Sequence, residues 1–373
     1  MRLADILKKL QEQKSGPSEQ TETPSLQKIQ KFHQTVHESS VSQKPQSLEN
    51  VAEKPNVEKI YSDAISRFKK LFLELKSQKS KIVVSELLES AKSIAELLDQ
   101  DDQDILLYAC YSTPDVYIYG HSVNVAIYSG VIGKAKGFSF DELKELVLCG
   151  LLHDIGMVRV INIAQKQAKL TEPEFEEIKK HSQYIKEEIS KLDLPFELQQ
   201  RLISVITQVH ERVDGSGYPN GIQIDDIHLY ARIISVADVY EAMTHPRPYR
   251  DRILPHNAIV ALVDQAKNQL DTQIVKLFVD KISIFPIGSY VKLNTGEIAK
   301  VISTNFSFPV RPVVKIILTE ENVTPKETKI INLAENSQIS IVEAVDETKI
   351  ETKDKKLLLQ LKASRWWVKT DEL

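Results

Sequence analysis

Leu151-Leu152-His153-Asp154-Ile155-Gly156 sets an imidazole and a carboxylate side by side at the end of a strongly apolar helical stretch. Burying such groups without partners costs several kcal/mol, so hydrogen bonds or a metal ion must meet them there. Upstream, Ser139 with Glu142 reads as a capping box. Leu143, Leu146, Val147, Gly150 and Leu151 follow at helical steps, and His153 and Asp154 continue that face three and four residues beyond Gly150.

The surrounding helical patterns, between about residues 104 and 243, carry residues of the same kind. His121 begins a run in which Val123, Ile127 and Val131 share a face. Thr171 with Glu174 is a second capping box, with Pro173 in the first turn, and the stripe Ile178, His181 and Ile185 contains an imidazole. From about Glu197, a further pattern aligns Ile203, Ile206 and His210; a last one aligns Ile234, Ala237, Asp238 and Ala242. A lone His in an apolar stripe is more often a hydrogen-bonded core residue than a ligand. Here His121, His153, His181, His210, Asp154 and Asp238, from five helices, all face one core. Mixed His and carboxylate donors suit Fe, Mn, Zn or Ni. His228, His245 and His256 follow no such pattern and read as surface or supporting residues.

After His210-Glu211 comes Arg212-Val213-Asp214-Gly215-Ser216-Gly217-Tyr218-Pro219-Asn220-Gly221. By itself this is a glycine-rich turn. Directly behind a candidate ligand, its Asp214 and Tyr218 are placed to shape the mouth of a site. Arg247-Pro248-Tyr249-Arg250 follows Asp238 closely, and guanidinium matches phosphate oxygens well, although solvated arginines would read the same way.

The chain has 373 residues, 42% hydrophobic and 27% charged, which is ordinary for a globular protein of two to three domains. A net charge of -4 argues against general nucleic-acid binding. No apolar run approaches the length of a membrane span and no secretion signal is legible, so a cytoplasmic protein is expected. The two cysteines, Cys110 and Cys149, sit in apolar contexts and read as reduced, buried thiols.

Residues 1–56 are polar and proline-interrupted, a low-complexity segment expected to be disordered. Its first ten residues align Leu3, Ile6, Leu7 and Leu10 on one helical face; His33 and His37 read as solvated. Residues 57–100 form a helical lead-in, 101–285 the helical domain, and helices opened by Pro255 and Asp271 complete it. From residue 286 the period changes to two: Val291 and Leu293, a turn at Asn294-Thr295-Gly296, residues 298–303, then Val314, Ile316 and Leu318. A small β domain is expected over 286–345, followed by a charged tail, 346–373, with Arg365-Trp366-Trp367-Val368-Lys369. The fold class is therefore mainly α, a helical bundle with a small C-terminal β domain.

The helices bearing His, His-Asp, His, His and Asp resemble the HD superfamily of metal-dependent phosphohydrolases. With Asp214-Gly215-x-Gly217-Tyr218-Pro219 after His210-Glu211, and Asp238 opening Asp-x-x-x-Ala-Met, residues 115–285 resemble the HD-GYP cyclic di-GMP phosphodiesterases. The β segment also looks like an extension of some members. The resemblance implies two divalent cations, Fe or Mn first and Zn or Ni next. His121, His153, Asp154 and Asp238 match the ligands of one, and Asp154 would bridge to a second held by His181 and His210. Such a pair, about 3.5–4 Å apart, activates a bridging water and neutralises the charge of in-line displacement.

The resemblance also places Arg247 and Arg250 on substrate phosphate, Tyr218 at the guanine-nucleotide pocket, and Asp154 and Asp214 as catalytic carboxylates. The expected activity is hydrolysis of cyclic di-GMP to pGpG or GMP in bacterial second-messenger signalling. Signalling proteins and a second copy of the chain are candidate partners. Four positions depart from the family pattern: Val209 replaces a His, Met157 a Lys, Glu241 an Asp, and Tyr117 the acid of a third metal site. One imidazole fewer weakens the second cation. A module that binds nucleotide or a partner without turnover is the alternative reading.

Overall fold

Asn56 accepts a hydrogen bond from Lys59 N on its side chain, so α1 (Val57–Lys76) starts on a true cap. The computed structural model describes residues 56–100, 104–110, 117–247, 250–305, 307–355, 357–358 and 361, all within one compact unit, Pro55–Leu373. The expectations for residues 1–55, including the Leu3 to Leu10 face, His33 and His37, lie outside the described residues, as does the tryptophan pair of the tail.

α1 buries Tyr61, Ala64, Ile65, Phe68, Leu71, Phe72 and Leu75, and packs on α2 (Ser85–Asp99) and, beyond the short α3 (Asp104–Ala109), on α4 (Tyr117–Ala135). The periodicity of α4 implied a one-sided stripe. It is instead buried almost all round, because α1, α5 (Phe140–Leu152), α10 (Leu229–Thr244) and α12 (Thr272–Ile282) all lie against it. A helix with no wet face can carry His121 and Asn124 only where other polar groups meet them.

The rest of the bundle is α6 (Ile161–Ala164), α7 (Glu172–Lys179), α8 (His181–Ser190), α9 (Phe196–Ile206) and α11 (Pro255–Gln265). Both capping boxes form: Ser139 and Thr171 accept from the backbone N–H groups of Glu142 and Glu174, whose carboxylates accept from the cap residues in return. Asp271 caps α12. No helix among the described residues is long and apolar enough to cross a membrane.

Strands β1 (Tyr290–Leu293), β2 (Ile298–Ser303), β3 (Val313–Leu318), β4 (Ile330–Asn332) and β5 (Ile341–Val345) form one antiparallel sheet in the order β4-β3-β2-β1-β5. Val291, Leu293, Val314, Ile316 and Leu318 are all buried, as strand alternation requires. Arg252, before α11, ties the sheet to the bundle through a 2.6 Å bond to Glu347. Cys110, expected to be buried, is only partly so, its Sγ 3.1 Å from the carbonyls of both Leu106 and Ile287, either of which its single S–H can serve, and Cys149 is fully buried; both are free thiols.

Candidate metal centre

α5 ends at His153 because the ring takes over a backbone acceptor: Nδ1 donates to the Gly150 carbonyl at 2.8 Å. Asp154 then opens a short 3-10 turn, Ile155–Arg159. Gly156 in that turn lies against the start of α8, where a Cβ would stand 2.0 Å from the His181 carbonyl oxygen. Only glycine lets the two segments approach so closely.

His181 was expected within one continuous helix, yet the chain breaks at Lys180 and His181 begins a new one. Its Nδ1 donates to the Ile178 carbonyl at 2.7 Å, a bond that competes with the helix ladder. His210 likewise lies beyond α9, which ends at Ile206 in a run of tight turns; Thr207 Oγ1 donates to the Ile203 carbonyl there. Both imidazoles still reach the centre.

Six side chains converge. His121, His153 and Asp154 form one group of donors, and Asp154, His181 and His210 a second, the donor atoms of each lying within 4.8 Å of one another. Asp154 belongs to both: Oδ2 is 3.5 Å from His121 Nε2, while Oδ1 is 3.6 Å from His153 Nε2, 3.2 Å from His181 Nε2 and 3.5 Å from His210 Nε2. Asp238 stands alongside, Oδ1 3.4 Å from His121 Nε2 and Oδ2 3.7 Å from His210 Nδ1.

The donor set fits divalent cations. In His121, His153 and His181 the Nδ1 atom faces an acceptor, Glu241 Oε2 at 2.5 Å, the Gly150 carbonyl and the Ile178 carbonyl respectively. Each Nε2 is thereby turned into the cluster, the orientation that a carboxylate or carbonyl partner imposes on a metal-binding histidine. His153 Nε2 and Asp154 Oδ1 are buried without a hydrogen-bond partner. Two orphaned acceptors facing each other are costly unless a cation sits between them.

Electrostatics agree. Burial opposes charge on His121, yet Glu241, Asp154 and Asp238 outweigh it and hold its pKa well above the usual imidazole value; burial likewise opposes charge on His181, but Asp154 raises its pKa. Burial dominates at His153 and His210 and lowers both. Burial resists ionisation of Asp154 and Asp238, but the surrounding imidazoles keep both acids far below the usual carboxylate range. Negative charge here is met by protons or by metal.

The loop after His210 is pinned from inside. Glu211 is buried and accepts from Asn220 N at 2.7 Å and Ile222 N at 3.2 Å. Gly217 packs onto the same segment, where a Cβ would meet Arg212 N at 2.3 Å. Tyr218 consequently stacks over His210, ring centroids 5.0 Å apart and planes at 18°. Asp214 does not join the donor groups; its Oδ1 accepts from Ser216 N and Oγ on the loop rim.

Arg247 lies over the Tyr117 ring, 4.5 Å from its centroid, with Nη2 3.4 Å from Glu241 Oε2. A fixed positive charge thus stands between the Tyr117 ring and the Glu241 carboxylate. Arg250 donates to the Ala242 carbonyl. Met157 and Val209 are buried. Sequence reasoning noted Glu241 only as a departure. The signal for its role was its spacing, three residues after Asp238 on the same helix, which puts both carboxylates on one face.

Residues 75–274 match the HD domain family, and residues 290–353 match a KOW domain associated with HD domain. The chain is 32% identical over 227 residues to a cyclic di-GMP phosphodiesterase of Pseudomonas aeruginosa, covering 61% of this chain and 54% of that protein. It is 30% identical over 234 residues to a cyclic di-GMP phosphodiesterase of Borreliella burgdorferi, covering 62% and 60%. A 3'3'-cGAMP-specific phosphodiesterase of Vibrio cholerae is 32% identical over 171 residues, 46% of this chain and 36% of that one. The chain therefore spans little more than half the length of the first two of these relatives and about a third of the third. With its family match, its His153-Asp154 doublet and its Gly217-Tyr218-Pro219 loop, the chain belongs to the HD domain family, of the HD-GYP kind.

Proposed function

We propose that this chain hydrolyses a phosphodiester bond of a cyclic dinucleotide, cyclic di-GMP or a relative such as 3'3'-cGAMP, using two divalent cations, Fe or Mn before Zn or Ni. The observation that carries this reading is the sharing of Asp154 between two donor groups. When bound, such a pair supplies an activated water and charge neutralisation at the scissile phosphate. His121, His153 and Asp238 would hold one cation, His181 and His210 the other, and Asp154, which belongs to both donor groups, would contribute to each.

The remaining residues bind and orient. Tyr218, stacked on His210 at the rim, is the aromatic residue that this reading assigns to the nucleotide base. Lys179, paired with Glu176 at 2.6 Å, places its Nζ 5.8 Å from the Tyr218 centroid and 5.1 Å from that of Phe175. It stands near the mouth of a site whose Met157 lacks the charge of the family's lysine. Arg247 adds a positive charge beside His121, and Arg250 braces the same segment. Asp214, engaged by Ser216, shapes the loop rather than carrying protons. A cytoplasmic setting fits the two free thiols.

The test is turnover by purified, anaerobically loaded protein given Fe(II) or Mn(II), with cyclic di-GMP and 3'3'-cGAMP supplied separately and linear products resolved by chromatography. Metal-dependent pGpG, GMP or the linear cGAMP product is expected. A filled site that turns over neither compound would replace this reading with binding without hydrolysis.

A further inference from the structure

A buried chain of hydrogen bonds runs from α1 to the metal centre. The Tyr61 hydroxyl donates to Asn124 Oδ1 at 2.9 Å, Asn124 Nδ2 donates to Glu241 Oε1 at 3.3 Å, and Glu241 Oε2 lies 2.5 Å from His121 Nδ1. The four residues come from α1, α4 and α10, and all are buried. The direction of the chain is self-consistent: an amide with its oxygen toward a phenol must turn its NH2 toward the carboxylate, the orientation a carboxylate requires. Burial also keeps the Tyr61 phenol protonated, so it remains a donor. Tyr61 lies outside the family match, which begins at residue 75.

We propose that Tyr61 and Asn124 are positioning residues of the metal centre, holding Glu241 in the rotamer that keeps His121 Nε2 turned toward the cation. This rests on reading the His and Asp cluster as a metal centre. A glutamate has three side-chain torsions to fix, and Glu241 must present one particular oxygen to His121. Oε1 has two neighbours on that side, Asn124 and His245, whose Nδ1 is 3.4 Å away; Arg247 sits 3.4 Å from Oε2. Loss of the Asn124 contact therefore loosens the carboxylate without freeing it. α1 is by this account part of the centre, and any partner that shifts α1 shifts a ligand.

The test is Mn(II) and Co(II) affinity of the full chain, measured by chelator competition, with the Co(II) d-d spectrum as a second readout. The variants are Tyr61→Phe, Asn124→Ala and the double. Removing an outer partner of a ligand typically costs about 10–100-fold in metal affinity, and Tyr61 stands further out, so about 3–10-fold is expected for Tyr61→Phe, with a shifted spectrum. Asn124→Ala should weaken binding more, and adding Tyr61→Phe to it should change nothing further, because the link is already cut.

Phe72→Leu removes packing from the same helix without touching the chain and should leave affinity and spectrum unchanged. Tyr61→Phe with wild-type affinity and spectrum overturns the proposal. So do single effects that multiply in the double variant, or Phe72→Leu weakening the metal equally. A wild-type chain that binds neither ion removes the metal-centre reading itself, and this proposal with it.

Discussion

Gly156→Ala is a severe test of how the centre is assembled, since the residue touches no donor atom directly. A Cβ there would stand 2.0 Å from the His181 carbonyl oxygen and 2.9 Å from its carbon, both backbone atoms that cannot rotate away. Restoring an ordinary contact needs about 1.2–1.5 Å of separation between the Ile155–Arg159 turn and the start of α8. Overpacking of this kind costs about 1–3 kcal/mol, and two backbones meeting head-on belong at the upper end, about 3 kcal/mol. The same displacement pulls His181 Nε2 away from Asp154 Oδ1, now 3.2 Å distant, so affinity for the second cation should fall at least about tenfold. Gly120→Ala is the control: it lies inside α4, beside His121, with no atom of the described residues outside its own turn within 4 Å of where its Cβ would stand, and should stabilise by about 0.5–1 kcal/mol. Urea unfolding of both variants with metal titration is the assay. A Gly156→Ala protein within about 0.5 kcal/mol of wild type, binding metal normally, would refute the packing argument.

Asp154→Ala should abolish binding of both cations and any hydrolysis together while circular dichroism stays helical; one cation retained at full affinity would show that the carboxylate is not shared. Metal affinity should also rise with pH. His121 and His181 have raised pKa values, so in the metal-free site they hold protons above the usual imidazole range. A cation must displace those protons, whereas His153 and His210, lowered by burial, are already neutral and release none. Calorimetry in buffers of different ionisation enthalpy should show up to about two protons released per chain at neutral pH; zero release would contradict the assignment.

The six clustered side chains were legible in the sequence because each was a polar residue in an otherwise apolar stripe, an arrangement with few physical excuses. What periodicity could not show was that the stripe of His181 is split between two helices, with His181 opening the second, and that His210 lies beyond the helix that carries Ile203 and Ile206. The His181 ring takes the Ile178 carbonyl where the first helix stops, and Thr207 Oγ1 adds a second bond to the Ile203 carbonyl at the end of α9; such local bonds leave the apolar spacing intact. The strands around Val291, Ile298 and Val314 showed a clean alternation. β4 is only three residues long, and no residue of β5 is fully buried, so neither imprints a strong pattern. The roles of Glu211 and Glu241 were hidden for a different reason: a buried glutamate beside a ligand reads like any surface charge until the backbone amides and imidazole it serves are placed around it.

The most direct measurement is a Mn(II) titration of the metal-free full chain followed by electron paramagnetic resonance. Two ions per chain are expected, magnetically coupled through the shared Asp154, with the second bound more weakly because Val209 stands where the family supplies an imidazole. Saturation at a single uncoupled ion, or no specific binding, would contradict this.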